Sequence, residues 1–328
     1  MSFELKNKGV GGNDSEDKVI LNIIIITLTP NFCLCEVFDD HRAPAKLKGW
    51  DSGLELDQDI STPERGLSEK SPKLGDMKAL LAFLLCVTSA NLAQAQPSRF
   101  SREKYVENSD TLSYRMLFPD ANRQRKYPLV IFLHGSGERG NDNDAQLKWG
   151  VMNFATDQNM LAHPAIVIAP QCPEHQTWSS VTPDKNRKAM TLNADPSMPM
   201  HLLIGLIRQL ETTMPVDTNR IYITGLSMGG YGTFDALERY PNLFAAAVPV
   251  CGAGDTSRAA SIAHVPMWIY LGAEDPAVNP LYGLAMFEAL TNAGAHPGFT
   301  QYPEVGHFSW LGAYSDPLMM EWLFRQHK

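Results

Sequence analysis

A serine flanked by glycines, set between a strand-like and a helix-like segment, constrains this chain more than any other feature. The apolar run Ile221–Thr224 leads directly into Gly225–Gly230, which reads Gly-Leu-Ser-Met-Gly-Gly, and a segment of helical period follows. A G-x-S-x-G pentapeptide in this context is typical of a sharp strand-to-helix turn that exposes the serine hydroxyl. Glycine is needed at both flanking positions because a side chain there would collide with neighbouring chain. The pattern predicts that Ser227 is a nucleophile on an α/β scaffold.

Short apolar runs alternate with segments of helical period from Thr111 onward. This alternation predicts a mostly parallel central sheet with helices on both faces. Continuous apolar runs such as Leu129–Leu133 are typical of strands that are buried on both sides. The predicted strands lie near Ser113–Phe118, Leu129–His134, Ala165–Ala169, Ile221–Thr224, Ala246–Val250, Met267–Leu271 and Phe299–Tyr302. The predicted helices cover Met200–Thr213, Met228–Tyr240, Leu281–Asn292 and Pro317–Gln326.

The composition, with 44% hydrophobic and 20% charged residues, is that of an ordinary soluble globular protein. A formal net charge of -8, without long lysine or arginine runs, predicts no nucleic-acid partner and no attraction to an anionic membrane surface. None of the five cysteines stands with histidines at the spacing of a zinc site. We therefore expect no metal ion.

An export signal is predicted inside the chain. Met77 and Lys78 precede the apolar run Ala79–Val87, and Ala93–Ala95 reads Ala-Gln-Ala, an A-x-A cleavage site. This pattern is typical of secretion, and the apolar run is too short to span a bilayer. A buried helix is the alternative. We expect a signal peptide over residues 77–95, no stable membrane insertion, and a mature domain over 96–328 that is secreted or periplasmic.

The first 76 residues carry no signal of a fold. They lack a sustained helical or alternating period, and they mix the run Ile23–Ile26 with a charged tract that contains scattered prolines and glycines. We interpret residues 1–76 as an upstream mis-start, translated from DNA that does not normally encode protein. A genuine disordered extension is the alternative.

The order of residues along the chain selects the base that would activate Ser227. In this scaffold an acid and then a histidine follow the nucleophile in sequence. His264 and His296 precede their predicted strands, which places them at the opposite edge of the sheet. His307 follows the last predicted strand, at the same edge as Ser227. We therefore predict that His307 accepts the serine proton.

The acid that orients His307 is expected after the preceding strand, Met267–Leu271. Asp275 is the predicted residue, since a carboxylate there would hold the correct imidazole tautomer and stabilise the imidazolium. Glu274 is the near alternative and Asp255 a more distant one. Either could instead be a turn residue that bonds its own backbone.

Two backbone amides should point at the oxygen on which charge develops during attack. One is the amide of Met228, directly after the nucleophile. The second is expected from the glycine-rich turn His134–Gly140, where the Ser136 amide is favoured and that of Gly137 comes next. His134 itself is interpreted as a structural residue of the turn.

A long connection, Gln171–Met198, leaves the same edge of the sheet. Connections of this length are commonly lids or binding loops. It carries Trp178, while Trp310 follows closely after His307, and Tyr231 lies on the helix that begins at the nucleophile. We predict that these three aromatic residues contact the substrate. The alternative for Trp178 is that it pins the connection to the core.

Cys172 and Cys251 are the cysteines that follow the predicted signal peptide. Both come after strand-like runs, so they could lie close together and pair in an oxidising compartment. Two free buried thiols are the equal alternative.

From about Ser101 to the end, the chain resembles the α/β-hydrolase superfamily. The turn His134–Gly140 and the segment Gly225–Gly232 are similar to those of exported esterases and predicted peptidases. That branch includes feruloyl and acetyl-xylan esterases, polyhydroxybutyrate depolymerases and phospholipase/carboxylesterase-like proteins. Dienelactone hydrolases share the architecture but use a cysteine nucleophile, and position 227 is serine.

The resemblance implies an α/β-hydrolase fold and hydrolysis of carboxylic esters through an acyl-enzyme, with no organic cofactor. The expected substrate is a small-molecule or polysaccharide-linked ester, with carbohydrate- or aryl-linked esters as candidates, and the expected assembly is a monomer or small homo-oligomer. A serine peptidase of the same mechanism is the nearest alternative. A binding module that keeps the fold without activity is the alternative from a different class.

Overall fold

The computed structural model describes residues 99–119, 124–184 and 189–328. The expected signal peptide, the segment ahead of it and the predicted start of the mature domain at Gln96 lie outside these residues. No helix in the described ranges is long and apolar enough to cross a membrane.

The described chain forms a central sheet of eight strands and a separate two-stranded hairpin. The strands are β1 (Phe100–Glu107), β2 (Asp110–Leu117), β3 (Tyr127–Leu133), β4 (Ile166–Pro170), β5 (Val181–Asp184), β6 (Ala189–Leu192), β7 (Val216–Leu226), β8 (Ala246–Val250), β9 (Trp268–Gly272) and β10 (Gly298–Tyr302). The order in the large sheet is β1-β2-β4-β3-β7-β8-β9-β10, and β5 pairs with β6. Strand β2 runs antiparallel to both neighbours, while the pairs from β4 to β10 are parallel. The mostly parallel sheet predicted from the sequence is therefore confirmed.

Within the described ranges, seven α-helices connect or follow these strands. They are α1 (Asp157–Ala162), α2 (Met198–Thr213), α3 (Met228–Arg239), α4 (Ala259–Ile262), α5 (Pro280–Asn292), α6 (Trp310–Ser315) and α7 (Pro317–Arg325). The starts of α5 and α7 are encoded locally, because each begins with proline after a residue whose side chain accepts a helix amide. Such caps satisfy amides that have no partner within the helix.

Strand β3 separates two apolar layers. Leu129, Ile131 and Leu133 belong to the core that includes α2 and α3, whereas Val130 and Phe132 belong to the core that includes α6 and α7. All five side chains are fully buried. Burying each contributes about 1.5–3 kcal/mol relative to exposure, so the run fixes β3 at the centre of the domain. This explains why the run is apolar throughout and does not alternate.

The sequence analysis missed the strands β1, β5 and β6 and the short helices α1, α4 and α6, and it placed the start of β7 too late. Strand β1 reads FSREKYVE and has the weak apolar pattern of an edge strand, which needs charged residues on its open side. The hairpin β5–β6 lies within the connection Gln171–Met198. Strand β7 begins at Val216, five residues before the predicted start at Ile221.

Candidate active site

The turn between β7 and α3 holds Ser227 in a strained conformation. Its φ of 53° and ψ of -117° lie in a region that L-residues rarely occupy. The Ser227 amide donates to the carbonyl of Val250 at 3.0 Å, which ties the turn to β8. A Cβ on Gly225 would come within 2.4 Å of the Gly229 carbonyl oxygen, and one on Gly229 within 1.9 Å of the Leu133 carbonyl oxygen. The two glycines therefore allow the close approach that aims the serine outward.

The structure brings Ser227, His307 and Asp275 into one hydrogen-bonded chain. The Ser227 Oγ and His307 Nε2 atoms are 2.8 Å apart, and His307 Nδ1 lies 2.8 Å from Asp275 Oδ2. The other carboxylate oxygen of Asp275 accepts the amides of Ala277 and Val278, each at 2.9 Å. Both oxygens of the buried carboxylate are thus held in place, and the carboxylate faces the imidazole N–H.

The alternative acids occupy other positions. Glu274 is exposed, and its amide donates to the Val305 carbonyl at 2.9 Å. Asp255 is buried but accepts from the Leu192 amide and from Ser257. His264 and His296 line a cavity at the ends where β9 and β10 begin, away from Ser227. The geometry therefore singles out Asp275 and His307 from their competitors.

The sequence analysis did not predict that the buried Cys251 lies beside Asp275 and His307. The Sγ atom of Cys251 and the nearest donor atoms of Asp275 and His307 all lie within 4.8 Å of one another. Burial raises the pKa of the Cys251 thiol to about 12, so it is uncharged at neutral pH. Cys251 and Cys172 are both free and buried. The sequence could place Cys251 only at the end of a strand, because its approach to Asp275 depends on the neighbouring loop.

The turn that follows β3 is organised by a neutral histidine. His134 Nδ1–H donates to the Gly135 carbonyl at 2.6 Å, and its Nε2 accepts the Cys172 amide at 2.9 Å. Burial is the main cause that lowers the pKa of His134 to about 4, so the ring stays uncharged. This agrees with the interpretation of His134 as a residue that shapes the turn.

The two predicted oxyanion amides belong to the turn after β3 and to the first residue of α3. Ser136 is exposed and begins a 3-10 turn, and a Cβ on the preceding Gly135 would come within 2.9 Å of the Leu226 side chain. Met228 follows the serine directly. Among the backbone hydrogen bonds formed in loops and turns of the described chain, none uses the amide of Ser136 or Met228 as donor. Both amides are therefore available to a bound ligand.

Comparison with known proteins places this geometry in a family. Residues 119–315, more than half of the chain, match the model of the phospholipase/carboxylesterase family. The chain belongs to this family. No curated protein matches the chain in sequence.

Solved structures agree with the family assignment. A thermostable esterase is 37% identical with a TM-score of 0.65, over 70% of this chain and 64% of that one. This chain thus spans 64% of the length of that esterase. A ferulic acid esterase (17% identity, TM-score 0.53) and a fluorophosphonate-binding serine hydrolase of Staphylococcus aureus (15%, 0.52) each match over 69% of this chain and 98% of theirs. The last two show the fold alone, and the α/β-hydrolase fold is confirmed.

Trp178 does not lie at the surface of the candidate site. Its side chain is fully buried, its indole N–H donates to the His134 carbonyl at 3.1 Å, and its ring meets the His134 ring edge to face at 5.3 Å. A Cβ on Gly232 would come within 2.5 Å of the Trp178 Cβ, so the tryptophan is wedged against α3. This burial favours the alternative, that Trp178 pins its connection to the core, over contact with a substrate.

The connection that carries Trp178 is anchored to α3 and to the loop after β8. The Ser180 amide donates to Asp235 at 2.9 Å and the Leu192 amide to Asp255 at 2.9 Å. Arg239, which is paired with Asp235, donates to the carbonyls of Asn193 and Ala194 at 2.9 Å each. These bonds anchor the described parts of the connection, residues 171–184 and 189–198, to the body of the domain.

The other two predicted substrate residues lie close to the Ser227–His307 pair. Trp310 is only 5% exposed, and its ring packs edge to face against that of His307, with the ring centroids 5.1 Å apart. Tyr231 is partly exposed, and its amide donates to the Ser227 carbonyl at 3.1 Å. Burial raises the pKa of Tyr231 to about 12, with Tyr282 beside it. Of Trp178, Trp310 and Tyr231, only Tyr231 has a partly exposed side chain near Ser227.

Proposed function

We propose that this chain is a serine hydrolase that cleaves carboxylic esters through an acyl-enzyme. Ser227 is the nucleophile, His307 the general base and Asp275 the residue that orients it. The observation that carries the proposal is the continuous contact from the Ser227 hydroxyl through His307 to the buried Asp275 carboxylate. A serine hydroxyl needs such a base because it is a weak nucleophile while it keeps its proton.

In the first half-reaction, Ser227 Oγ attacks the ester carbonyl carbon while its proton moves to His307 Nε2. The carbonyl oxygen becomes an oxyanion, to which the amides of Ser136 and Met228 donate in this proposal. His307 then gives the proton to the leaving alcohol oxygen as the bond between carbon and that oxygen breaks. The product is an ester between the acyl group and Ser227.

Water completes the cycle. His307 takes a proton from the attacking water, the water oxygen adds to the acyl carbon, and collapse of the oxyanion returns the proton to Ser227 as the acid leaves. Asp275 keeps the proton of the imidazole on Nδ1 in the resting state, so that Nε2 is free to accept the serine proton. No metal or organic group enters either step.

Membership of the phospholipase/carboxylesterase family favours esters over peptides as substrates. The related thermostable esterase supports the same preference. Small-molecule or polysaccharide-linked esters are the proposed substrate class. The apolar segment ahead of Ala95 supports a secreted or periplasmic location, with residues 96–328 as the mature domain.

The proposal is tested on the full chain with a fluorophosphonate probe, which labels an activated serine. We expect labelling of the wild type and none of Ser227→Ala. On a panel of esters and peptide anilides, Ser227→Ala and His307→Ala each lower kcat by roughly 10⁴-fold or more, and the double variant loses little more, because the residues act as a unit. Asp275→Asn is severe, whereas the matched change Glu274→Gln leaves kcat nearly unchanged. Damage from Glu274→Gln alone, or faster cleavage of anilides than of esters, contradicts the assignment.

A further inference from the structure

Three aromatic rings lie together beside the base. Trp149, Phe308 and Trp310, here called the aromatic shelf, have ring centroids 4.8 Å apart for Phe308–Trp310, 6.0 Å for Trp149–Phe308 and 6.2 Å for Trp149–Trp310. Such tilted and edge-to-face pairs stabilise a cluster by about 0.5–1.5 kcal/mol per pair beyond the burial of area. The sequence analysis selected Trp310 alone, although Phe308 directly follows His307.

The aromatic shelf is buried at one end and open at the other. Trp310 is 5% exposed, Trp149 is partly exposed and Phe308 is 55% exposed. Among the large apolar side chains that are exposed in the described chain, Phe308 is the one aromatic residue. Its ring is therefore held by two tryptophans while much of its surface remains free for contact with a ligand.

The position of Trp149 is fixed from several sides. Gly150 has a φ of 73°, and a Cβ there would come within 2.4 Å of the Tyr314 ring, so the loop lies directly on α6. Lys148 Nζ lies 5.0 Å from the Trp149 ring centroid. Burial raises the pKa of Glu138, in the turn that carries Ser136, and the Lys148 charge and a hydrogen bond with Trp149 oppose this rise. The aromatic shelf thus joins the oxyanion turn to the loop of His307. Because the aromatic shelf is fixed before a ligand binds, less conformational entropy is lost on binding.

The chemistry of His307 indicates which half of the ester contacts the aromatic shelf. His307 must reach the leaving oxygen to give it a proton, so the alcohol lies on the side of His307. Phe308 is the next residue. Resting on the proposed function, we propose that the exposed face of Phe308, backed by Trp149, binds the alcohol half of the ester and selects a planar aromatic group there.

The test compares two acetates that differ only in the alcohol, benzyl acetate and butyl acetate. Both pass through the same acetyl-enzyme, so any difference in kcat/KM arises in acylation. We expect the wild type to prefer benzyl acetate and Phe308→Ala to lower the benzyl-to-butyl ratio of kcat/KM about three- to tenfold, the loss of one or two ring contacts. Phe308→Leu, which keeps an apolar side chain, lowers the ratio less. A disturbed His307 would slow both acetates alike and cancel in the ratio.

Controls assign the effect to the alcohol side. Leu161→Ala removes a side chain that is 87% exposed on α1, and it leaves the ratio unchanged. Methyl phenylacetate and methyl pentanoate vary the acyl half, and their ratio is the same in Phe308→Ala as in the wild type. An unchanged benzyl-to-butyl ratio, or a fall confined to the acyl pair, overturns the inference while the proposed function stands. A wild type that neither reacts with the fluorophosphonate nor hydrolyses any of the four esters overturns both.

Discussion

Glu238 is a buried carboxyl group that stays protonated in the folded protein, and the stability of this domain should fall as the pH rises above neutral and favours loss of that proton. It lies on α3 and is 6% exposed, and its Oε1 accepts the Asp255 amide at 2.7 Å. Its Oε2 is buried without a hydrogen-bond partner in the described chain. Burial is the main cause that raises the pKa of Glu238 from 4.5 to about 9, and the neighbouring carboxylates of Asp235 and Asp255 add to it.

The sign of the effect follows from the direction of this shift. The folded protein keeps a proton on Glu238 that the unfolded chain releases above pH 4.5, so the contribution of Glu238 to stability is greatest below that pH and is lost as the pH rises towards 9. Each pH unit in this window changes the free energy of unfolding by about 1.4 kcal/mol. Glu238→Gln has a similar shape, retains an oxygen for the Asp255 amide and has no proton to release.

We expect the stability of Glu238→Gln relative to the wild type to grow by about 3 kcal/mol between pH 6 and pH 8. Urea unfolding followed by tryptophan fluorescence at pH 6, 7 and 8 measures this difference, in which the titration of all other groups cancels. Glu288→Gln, at an exposed position on α5, is the matched control and gives a constant difference. The same constant difference for Glu238→Gln would refute the reasoning, because it would show that Glu238 is ionised in the folded protein.

Two further predictions concern the strained turn and the buried tryptophan. Ser227→Gly and Ser227→Ala both remove the hydroxyl, but only glycine accepts a φ of 53° without strain. We therefore expect the glycine variant to be more stable than the alanine variant by about 1 kcal/mol in urea unfolding. An alanine variant that is equally or more stable argues against strain at this position. Trp178→Ala should lower the free energy of unfolding by about 3–5 kcal/mol, since it empties a fully buried site. Its kcat/KM should fall by the same factor for aryl and alkyl esters, and selective loss on aryl esters would restore a substrate role for Trp178.

The parts of the fold and site that the sequence could predict are those with local causes. Five successive apolar residues from Leu129 to Leu133 require a strand with apolar neighbours on both faces. Ser227 is identified by the glycines beside it, whose Cβ atoms would overlap backbone. His307 and Asp275 could be selected because parallel strands bring their carboxyl ends to one edge of the sheet, and that rule needs only the order of strands along the chain.

The parts that could not be predicted depend on contacts between residues that are far apart in the sequence. Trp178 follows a strand at the active edge, yet its direction is set by His134 and Gly232, neither of which is near it in sequence. Glu238 lies among polar residues at the end of a helix, and its burial results from the loop that contains Asp255. Phe308 next to His307 was visible, but its exposure depends on the rings of Trp149 and Trp310.

The edge position of strand β10 has a consequence for how the proposed activity responds to heat. It is the last strand of the sheet, it pairs only with β9 among the described strands, and its residues are partly exposed. The loop that follows it carries His307, and it contacts the Asp275 loop through bonds from the Ala273 and Glu274 amides to the carbonyls of Tyr302 and Val305. An edge with so few bonds opens at a lower free energy than the centre of the sheet. We therefore expect the proposed activity to be lost on heating when β10 detaches, because this moves the His307 loop away from Asp275 while β3 and β7 are still paired.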